Sequence, residues 1–297
     1  MGKQTVGAVT TEKKHTPTRS IIRPRRMDFD FSADIPRFWF DNNVFKTLLM
    51  TAQSCTFPEG ERFFIDSVRH YQSQITDPEL QAQVRGFIGQ EAHHGKEHTT
   101  LNDFMAARGF ATEAVQSHVR TNLQLLRKRM SAERQLAMTC ALEHFTAMLA
   151  ELALEHPDFF KGMDDRVRVL WLWHAIEESE HKSVAFDVYQ QTVGSRWVRN
   201  SEMVVNTLTF FFFSAVHFNT LYKTCPEKIG VRGFMDGLGF LFGRQGWLRK
   251  LTPRYLAYFK ADFHPSKVDS TLLRRRVMNE LERLTQNPAF AAMGSTR

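Results

Sequence analysis

Apolar residues recur every three or four positions through most of the chain, which is the spacing of helices that bury one face. No segment alternates apolar and polar residues in the manner of a strand, and no hairpin signal interrupts the helical pattern. The sequence therefore predicts an all-α fold. Helices are expected over about 44–55, 56–74, 77–108, 112–129, 131–156 and 164–193.

Residue types at the expected helix ends support these boundaries. Thr56 and Glu59 have the spacing of a capping box, and Asp77 precedes Pro78 in the way that a cap precedes a first turn. Ser131 is a further cap candidate. Four of the helices are long enough to frame a four-helix bundle, which we expect to span about residues 27–200.

The region after the expected bundle is more apolar. Segment 203–221 has twelve apolar residues in nineteen, including four successive phenylalanines, but it also carries seven polar side chains. A membrane span, a helix on a membrane surface and a helix packed on the bundle all stay open, and the polar groups favour the last. Short helices and a final amphipathic helix from Ser270 complete a C-terminal helical extension, 201–297, that is expected to pack on the bundle.

The net charge of +7 comes mostly from the start of the chain. Residues 1–26 hold seven Lys/Arg and one acid, so about +1 remains for everything else. We interpret 1–26 as a disordered basic tail and expect no nucleic-acid partner, because the basicity does not lie on a folded face. The tail has no signal-peptide core, and Cys55, Cys140 and Cys225 are far apart, so a cytoplasmic location is expected.

Two Glu-x-x-His motifs carry the candidate chemistry. Residues 91–94 form one motif and residues 178–181 the other, and side chains three positions apart project from one face of a helix. A mid-helix glutamate precedes each motif by 30 or 35 residues, which is the length of a helix, a turn and a returning helix. The candidate metal ligands are therefore Glu61, Glu91, His94, Glu143, Glu178 and His181.

This ligand set has the charge that two metal ions require. Four carboxylates and two neutral imidazoles balance two divalent ions, as a buried site demands. The donor types suit iron, manganese or zinc, and iron is favoured by analogy with other helix bundles. Two alternative ligands stay open: Glu59 in place of Glu61, and Glu177 in place of Glu178.

Further side chains on the motif faces are candidates for supporting roles. His98 and His174 are candidate catalytic groups, as an additional ligand or a proton relay, or else structural residues held by hydrogen bonds. Gln90 and Glu177 each precede a motif glutamate and are placed to accept the second ring N–H of a ligating imidazole. The hypothesis is that Glu177 orients His94.

Several segments together form a recognisable set of motifs. They are Glu59-Gly60-Glu61-Arg62-Phe63-Phe64, Gln90-Glu91-Ala92-His93-His94 with Glu97-His98, Asn102, Leu142-Glu143-His144, and Trp173-His174-Ala175-Ile176-Glu177-Glu178-Ser179-Glu180-His181-Lys182 with Ala185-Phe186-Asp187. On these segments the chain, from about residue 21 to 199 and again over 258–265, resembles the bacterial family labelled predicted metal-dependent hydrolases. The resemblance implies a ferritin-like fold and a metal site.

Two enzymatic functions fit such a site. The family label implies a hydrolase, in which two metal ions activate water and polarise an ester, amide or phosphate oxygen. The ligand pattern resembles more closely that of di-iron bundle enzymes, which use dioxygen to oxidise an apolar substrate. A small apolar or lipid-like substrate is expected in both cases. Metal storage and a metal-free scaffold are the non-catalytic alternatives, and a homodimer and a peripheral membrane contact through 203–221 stay open.

Overall fold

A computed structural model of the chain describes residues 21–286, except Gln245 and the side chain of Pro157. Residues 1–20 and 287–297, which include most of the predicted tail, lie outside the described residues. Within 21–286 there is no β-strand, so the prediction of an all-α fold is confirmed. The helices are α1 Val44–Ser54, α2 Phe57–Tyr71, α3 Pro78–Ala106, α4 Thr112–Arg129, α5 Ala132–Glu155, α6 Asp165–His181, α7 Val184–Thr192, α8 Arg196–Thr224, α9 Val231–Phe242, α10 Trp247–Ala257 and α11 Thr271–Thr285.

Four of these helices close into a ring. Helix α2 packs on α3 and α5, and α6 packs on the same two helices from the other side. Each helix of the ring turns an apolar stripe inward, and the large residues Phe63, Phe87 and Trp173 are among the most deeply buried side chains. This arrangement is the four-helix bundle that the long helical segments predict.

The helix starts follow the sequence signals, except that two predicted caps, Thr56 and Ser270, do not cap through their side chains. The Asp77 side chain accepts a hydrogen bond from the Glu79 N–H, and Ser131 caps α5 through the Arg134 N–H. The predicted capping box at Thr56 is wrong. Thr56 is itself in the helical region, and its hydroxyl donates to the Gln53 carbonyl, so α1 turns almost directly into α2.

The predicted helix over 164–193 is in fact two helices, α6 and α7, separated at Lys182 and Ser183. Lys182 is 8% exposed, and its ammonium donates to the Val268 carbonyl at 2.6 Å and to the Ser270 hydroxyl at 3.2 Å. It also pairs with Glu151 of α5. A buried ammonium needs such acceptors, and the interruption of the helix occurs where they converge.

The first described residues lie along α3 instead of extending into solvent. Ile22 is buried and packs on Gly86, where an added Cβ would lie 2.5 Å from the Ile22 carbonyl oxygen. Pro24 packs on Gly89 in the same way. Residues 21–26 are thus part of the packed structure, and the predicted disordered tail does not extend as far as residue 26.

The C-terminal helices pack on the bundle. Helix α8 lies against α1, α4 and α5, and α10 and α11 also contact α5. Among the described helices, α5 and α8 are long and apolar enough to cross a membrane by length and composition. The apolar window of α5 is 83% buried inside the bundle, whereas that of α8 is only 17% buried. Helix α5 is therefore a core helix, and α8 covers the bundle with one face and exposes the other.

Candidate metal centre

Seven ionisable side chains meet inside the ring of α2, α3, α5 and α6, and none is more than 4% exposed. The set contains all six ligands predicted from the sequence and, in addition, one of the two candidate catalytic histidines. We refer to these side chains as the cluster. They are Glu61 from α2, Glu91 and His94 from α3, Glu143 from α5, and His174, Glu178 and His181 from α6.

The cluster has two halves, each with the donors for one metal ion. In the first half, one donor atom each from Glu61, His94 and His174 lie within 4.8 Å of one another. In the second half, Glu91, Glu178 and His181 meet the same limit.

The fourth carboxylate belongs to the second half. Glu143 Oε2 lies 3.5 Å from His181 Nε2. Both halves therefore combine imidazole nitrogen with carboxylate oxygen, the donor types that iron, manganese and zinc accept.

Two carboxylates lie between the halves. Glu178 has one oxygen 2.9 Å from His174 Nε2 and 3.6 Å from His94 Nδ1, and its other oxygen is 3.4 Å from His181 Nε2. Glu91 Oε1 is 3.1 Å from His181 Nε2 and 3.7 Å from His94 Nδ1. Glu91 and Glu178 thus each contact imidazoles of both halves.

The unpaired polar atoms of the cluster provide a test of whether metal ions fit. Buried polar atoms in proteins almost always have a hydrogen-bond partner, but nine atoms of the cluster have none within the described residues. Six of them are carboxylate oxygens, two each from Glu61, Glu91 and Glu143. The other three are Glu178 Oε2, His94 Nδ1 and His181 Nε2. These atoms converge on one small volume, so the residues fit two cations.

The electrostatics of the cluster also call for positive charge. Burial, followed by the charges of Glu91 and Glu178, holds the pKa of Glu143 well above its usual value. Burial acts the same way on the pKa of Glu61. Burial lowers the pKa of His181, but the charges of Glu178 and Glu143 outweigh it and raise that pKa well above its usual value. These raised pKa values mean that the cluster binds protons in order to reduce its negative charge. Two divalent ions would neutralise the same charge.

Two predicted supporting residues contact the cluster imidazoles. Glu177 Oε2 lies 3.1 Å from His94 Nε2, and Gln90 Oε1 lies 2.9 Å from His181 Nδ1. Each imidazole can therefore donate its outer N–H and turn its other nitrogen toward the centre. Burial by itself lowers the pKa of His94. The hydrogen bonds and charges of Glu177 and Glu91 outweigh burial and raise the pKa of His94 to about 9.

An arginine that the sequence analysis missed supports these residues from outside the bundle. The backbone N–H of Arg25 donates to Glu177 at 2.9 Å, and its guanidinium contacts Glu177 and Glu180. Gln90 Nε2 donates to Glu180 at 2.9 Å, which joins the two supporting residues into one network. Arg25 is 152 positions from Glu177 in sequence, so no local pattern could have indicated this contact.

The second candidate catalytic histidine, His98, lies behind His174. Its Nε2 is 2.7 Å from His174 Nδ1, and its Nδ1 is 2.9 Å from the Ser54 hydroxyl. The open alternative Glu59 lies elsewhere, because its carboxylate pairs with Arg62 and Arg120.

A large cavity, about 560 Å³, reaches the cluster from one side. Its volume is within the usual range of small-molecule sites. Of the cluster residues, Glu61, His174 and Glu178 line it, and most of the other lining residues are apolar, with Leu, Met and Phe the commonest. The cavity therefore opens onto the first half of the cluster and offers an apolar surface to a ligand.

A protein-family model described as "Predicted metal-dependent hydrolase" matches residues 23–269. The matched range includes every residue of the cluster, the supporting residues Arg25, Gln90 and Glu177, and the whole of α8. No curated protein and no solved structure matches the chain.

Proposed function

We propose, on the premise that this chain belongs to the family of predicted metal-dependent hydrolases, that it is a two-metal enzyme acting on a compound with a long apolar chain. The cluster is the principal support, because nine converging buried polar atoms have no partner within the described residues. Four carboxylates offset the charge of two divalent ions. The donor set accepts iron, manganese or zinc, and iron is favoured by analogy with other helix bundles.

Hydrolysis is the reaction that the family description favours. Two bound ions would supply Lewis-acid activation of water and of the substrate oxygen. Glu91 and Glu178 would contribute carboxylate ligands to these ions, and Glu177 and Gln90 keep two imidazoles turned inward. An ester or amide whose carbonyl reaches Glu61 and Glu178 would leave its apolar chain in the cavity.

The cavity supports an apolar substrate. Phe64, Leu123, Met138 and Leu149 are typical of its wall, and they come from three helices, α2, α4 and α5. Apolar contacts of this kind contribute about 0.8 kcal/mol for each buried methylene group. Binding should therefore strengthen with chain length until the cavity is full.

The decisive experiment compares two neighbouring glutamates on α2. We expect the purified protein to bind two metal ions per chain after loading with Zn²⁺, Mn²⁺ or anaerobic Fe²⁺. Glu61→Gln should weaken binding at least tenfold and abolish hydrolysis of 4-nitrophenyl esters. The control Glu59→Gln alters a carboxylate of the same helix that pairs with arginines, and it should bind metal as the parent does. Equal metal binding by both variants would refute the two-metal proposal.

Substrate class has its own test. Leu149→Trp narrows the cavity, and we expect it to lower kcat/KM for long-chain esters at least tenfold while short-chain esters react as before. Leu272→Trp, at a position 77% exposed on α11, is the control. A loss that is the same for every chain length would contradict an apolar-chain substrate.

Oxidation by dioxygen is the second candidate, and the placement of the donors favours it. Every donor of the cluster is on a helix of the bundle, which is the arrangement of di-iron carboxylate enzymes, and the adjoining cavity is apolar. Dioxygen uptake by the Fe²⁺-loaded protein with an alkyl-chain compound, without ester cleavage under any metal, would replace hydrolysis by oxidation. If the protein binds metal tightly but has neither activity, metal storage is the remaining function. If it binds no metal, a metal-free scaffold is the remaining function.

A further inference from the structure

A line of buried polar groups continues outward from His174. It runs through His98 to Ser54 of α1 and then to Asn102 of α3, and these three outer residues are completely buried. Three successive distances of 2.7, 2.9 and 2.8 Å join the four side chains. The proposed function uses neither Ser54 nor Asn102.

The far end of this line fixes the direction of its hydrogen bonds. The Asn102 amide nitrogen donates to the Ser54 carbonyl and to Gln116, so its Oδ1 faces the Ser54 hydroxyl as an acceptor. Cys55 also donates its thiol hydrogen to Oδ1. The Ser54 O–H must therefore donate to Asn102, which leaves a Ser54 lone pair to face His98.

This direction determines the tautomers of both histidines. A neutral His98 donates its Nδ1–H to Ser54 and presents an unprotonated Nε2 to His174. His174 must then donate from Nδ1, so its Nε2 carries a lone pair. The Phe57 ring packs on both imidazoles, with centroid distances of 4.6 and 4.7 Å, and restricts their rotation.

The lone pair of His174 faces carboxylates. Its Nε2 lies 2.9 Å from Glu178 Oε1 and 3.8 Å from Glu61 Oε1. Three electron-rich atoms so close together repel one another unless a positive charge, either a proton or a metal ion, lies between them. His94 and His181 have the same arrangement, because each bonds outward through one ring nitrogen and turns the other toward the cluster.

We propose that His174 is a third imidazole ligand of the centre, and that the line His98–Ser54–Asn102 holds it in the tautomer that binds metal. The inference rests on the proposed two-metal site and deepens it. The ion of the first half then has two imidazole ligands, His94 and His174, whereas the ion of the second half has only His181. Since His174 also lines the cavity, the ion with two imidazoles faces the substrate.

The first test measures tautomers in the parent protein. Zn²⁺ is diamagnetic, so the Zn²⁺-loaded protein with ¹⁵N-labelled histidine suits two-bond ¹H–¹⁵N correlation spectra, with His174→Gln used to assign the resonances. We expect His174 to show a protonated Nδ1 and a metal-bound Nε2. A protonated Nε2 on His174 in the fully loaded protein would overturn the inference.

The second test measures affinity by calorimetric titration with Zn²⁺. His174→Ala should weaken the binding of one ion at least tenfold and leave the other ion bound. Ser54→Ala should weaken the same ion about tenfold, as changes to groups that orient metal ligands do. The double variant should lose little more than His174→Ala alone, because Ser54 acts only through His174.

A matched control separates this effect from a general loss of packing. Ser67 of α2 is buried, and its hydroxyl bonds to Thr139 away from the cluster. Ser67→Ala should therefore leave both affinities unchanged. Unchanged affinities in His174→Ala, with two ions bound, would refute the third ligand alone, whereas failure of the parent to bind two ions would refute the proposed function.

Discussion

At the scale of single residues, two buried carboxylates link the stability of the protein to pH. Glu61 and Glu143 have no hydrogen-bond partner for either oxygen within the described residues, and burial raises the pKa of each. A group whose pKa is higher in the folded state stabilises the fold only while it is protonated. Its contribution is complete below the unfolded pKa and is lost as pH rises through the folded value. In the metal-free protein these two carboxyl groups should therefore contribute less stability at neutral pH than at mildly acidic pH.

Glu143→Gln tests this point, since glutamine has the shape of the protonated acid. With metal removed by chelation, we expect the variant to unfold at about the same denaturant concentration as the parent near pH 4. Near pH 7.5 it should be more stable by on the order of 1–3 kcal/mol. In saturating Zn²⁺ the order should reverse, because the variant binds metal more weakly. Destabilisation of the metal-free variant at pH 7.5 would contradict the argument.

The sequence indicates those site residues that are linked by helical periodicity. Glu178 and His181 share one turn of α6, so their spacing alone places them on one face. Contacts that join distant segments leave no such signal. Arg25 reaches Glu177, and Ser54 reaches His98, only because the folded chain places their backbones side by side.

At the scale of elements, helix α3 shows what glycine does in the middle of a helix. Gly86 and Gly89 cost helix propensity, about 1 kcal/mol each relative to alanine, but they let segment 21–26 lie directly on the helix backbone. Gly95 serves the cluster, because an added Cβ would lie 3.2 Å from Glu61 Oε2. The structure identifies Ile22, Pro24 and Glu61 as the residues that approach these three glycines.

Gly86→Ala is expected to destabilise the protein by roughly 1–3 kcal/mol in urea unfolding, because the new methyl group overlaps the Ile22 backbone. The control is Gly239→Ala in α9, where an added Cβ has no neighbour within 4 Å. That change should stabilise by up to about 1 kcal/mol through helix propensity. Stabilisation by both changes would show that segment 21–26 does not pack tightly on α3.

Helix ends were predictable where a side chain caps a free N–H, as Asp77 and Ser131 do. The separation of α6 from α7 was not, because its cause lies outside the local sequence. Lys182 finds its acceptors on α5 and on residues 268–270, which are distant in the chain. The apolar periodicity continues through Lys182, so it gave no sign of the break that coincides with these tertiary contacts.

At the scale of the whole molecule, helix α8 has two apolar faces, one toward the cavity and one toward solvent. Its inner face lines the cavity with Phe210 and Phe213, and its outer face exposes Leu208 at 69% and Phe212 at 62%. No Asp, Glu, Lys or Arg occurs between Glu202 and Lys223. Because this face is apolar, uncharged and next to an apolar cavity, we propose that it contacts a lipid surface.

We expect the protein to sediment with phospholipid vesicles and the double variant Leu208→Glu, Phe212→Glu to bind them at least tenfold more weakly. Metal content should not change, because neither side chain faces the cluster. Leu272→Glu, an equally exposed apolar position on α11, is the control. Absence of vesicle binding, together with a dimer in analytical ultracentrifugation that the same double change dissociates, would assign the face to a second copy instead.

The contact of Arg25 with Glu177 ties the start of the packed chain to the orientation of His94. Thermodynamic linkage makes such a tie reciprocal: whatever docking of residues 21–26 adds to metal affinity, bound metal adds to the docking. Metal binding should then slow proteolytic cleavage at arginines 23, 25 and 26. By the same reasoning, a protein shortened to begin after Arg26 would hold its ions less tightly although every ligand is intact.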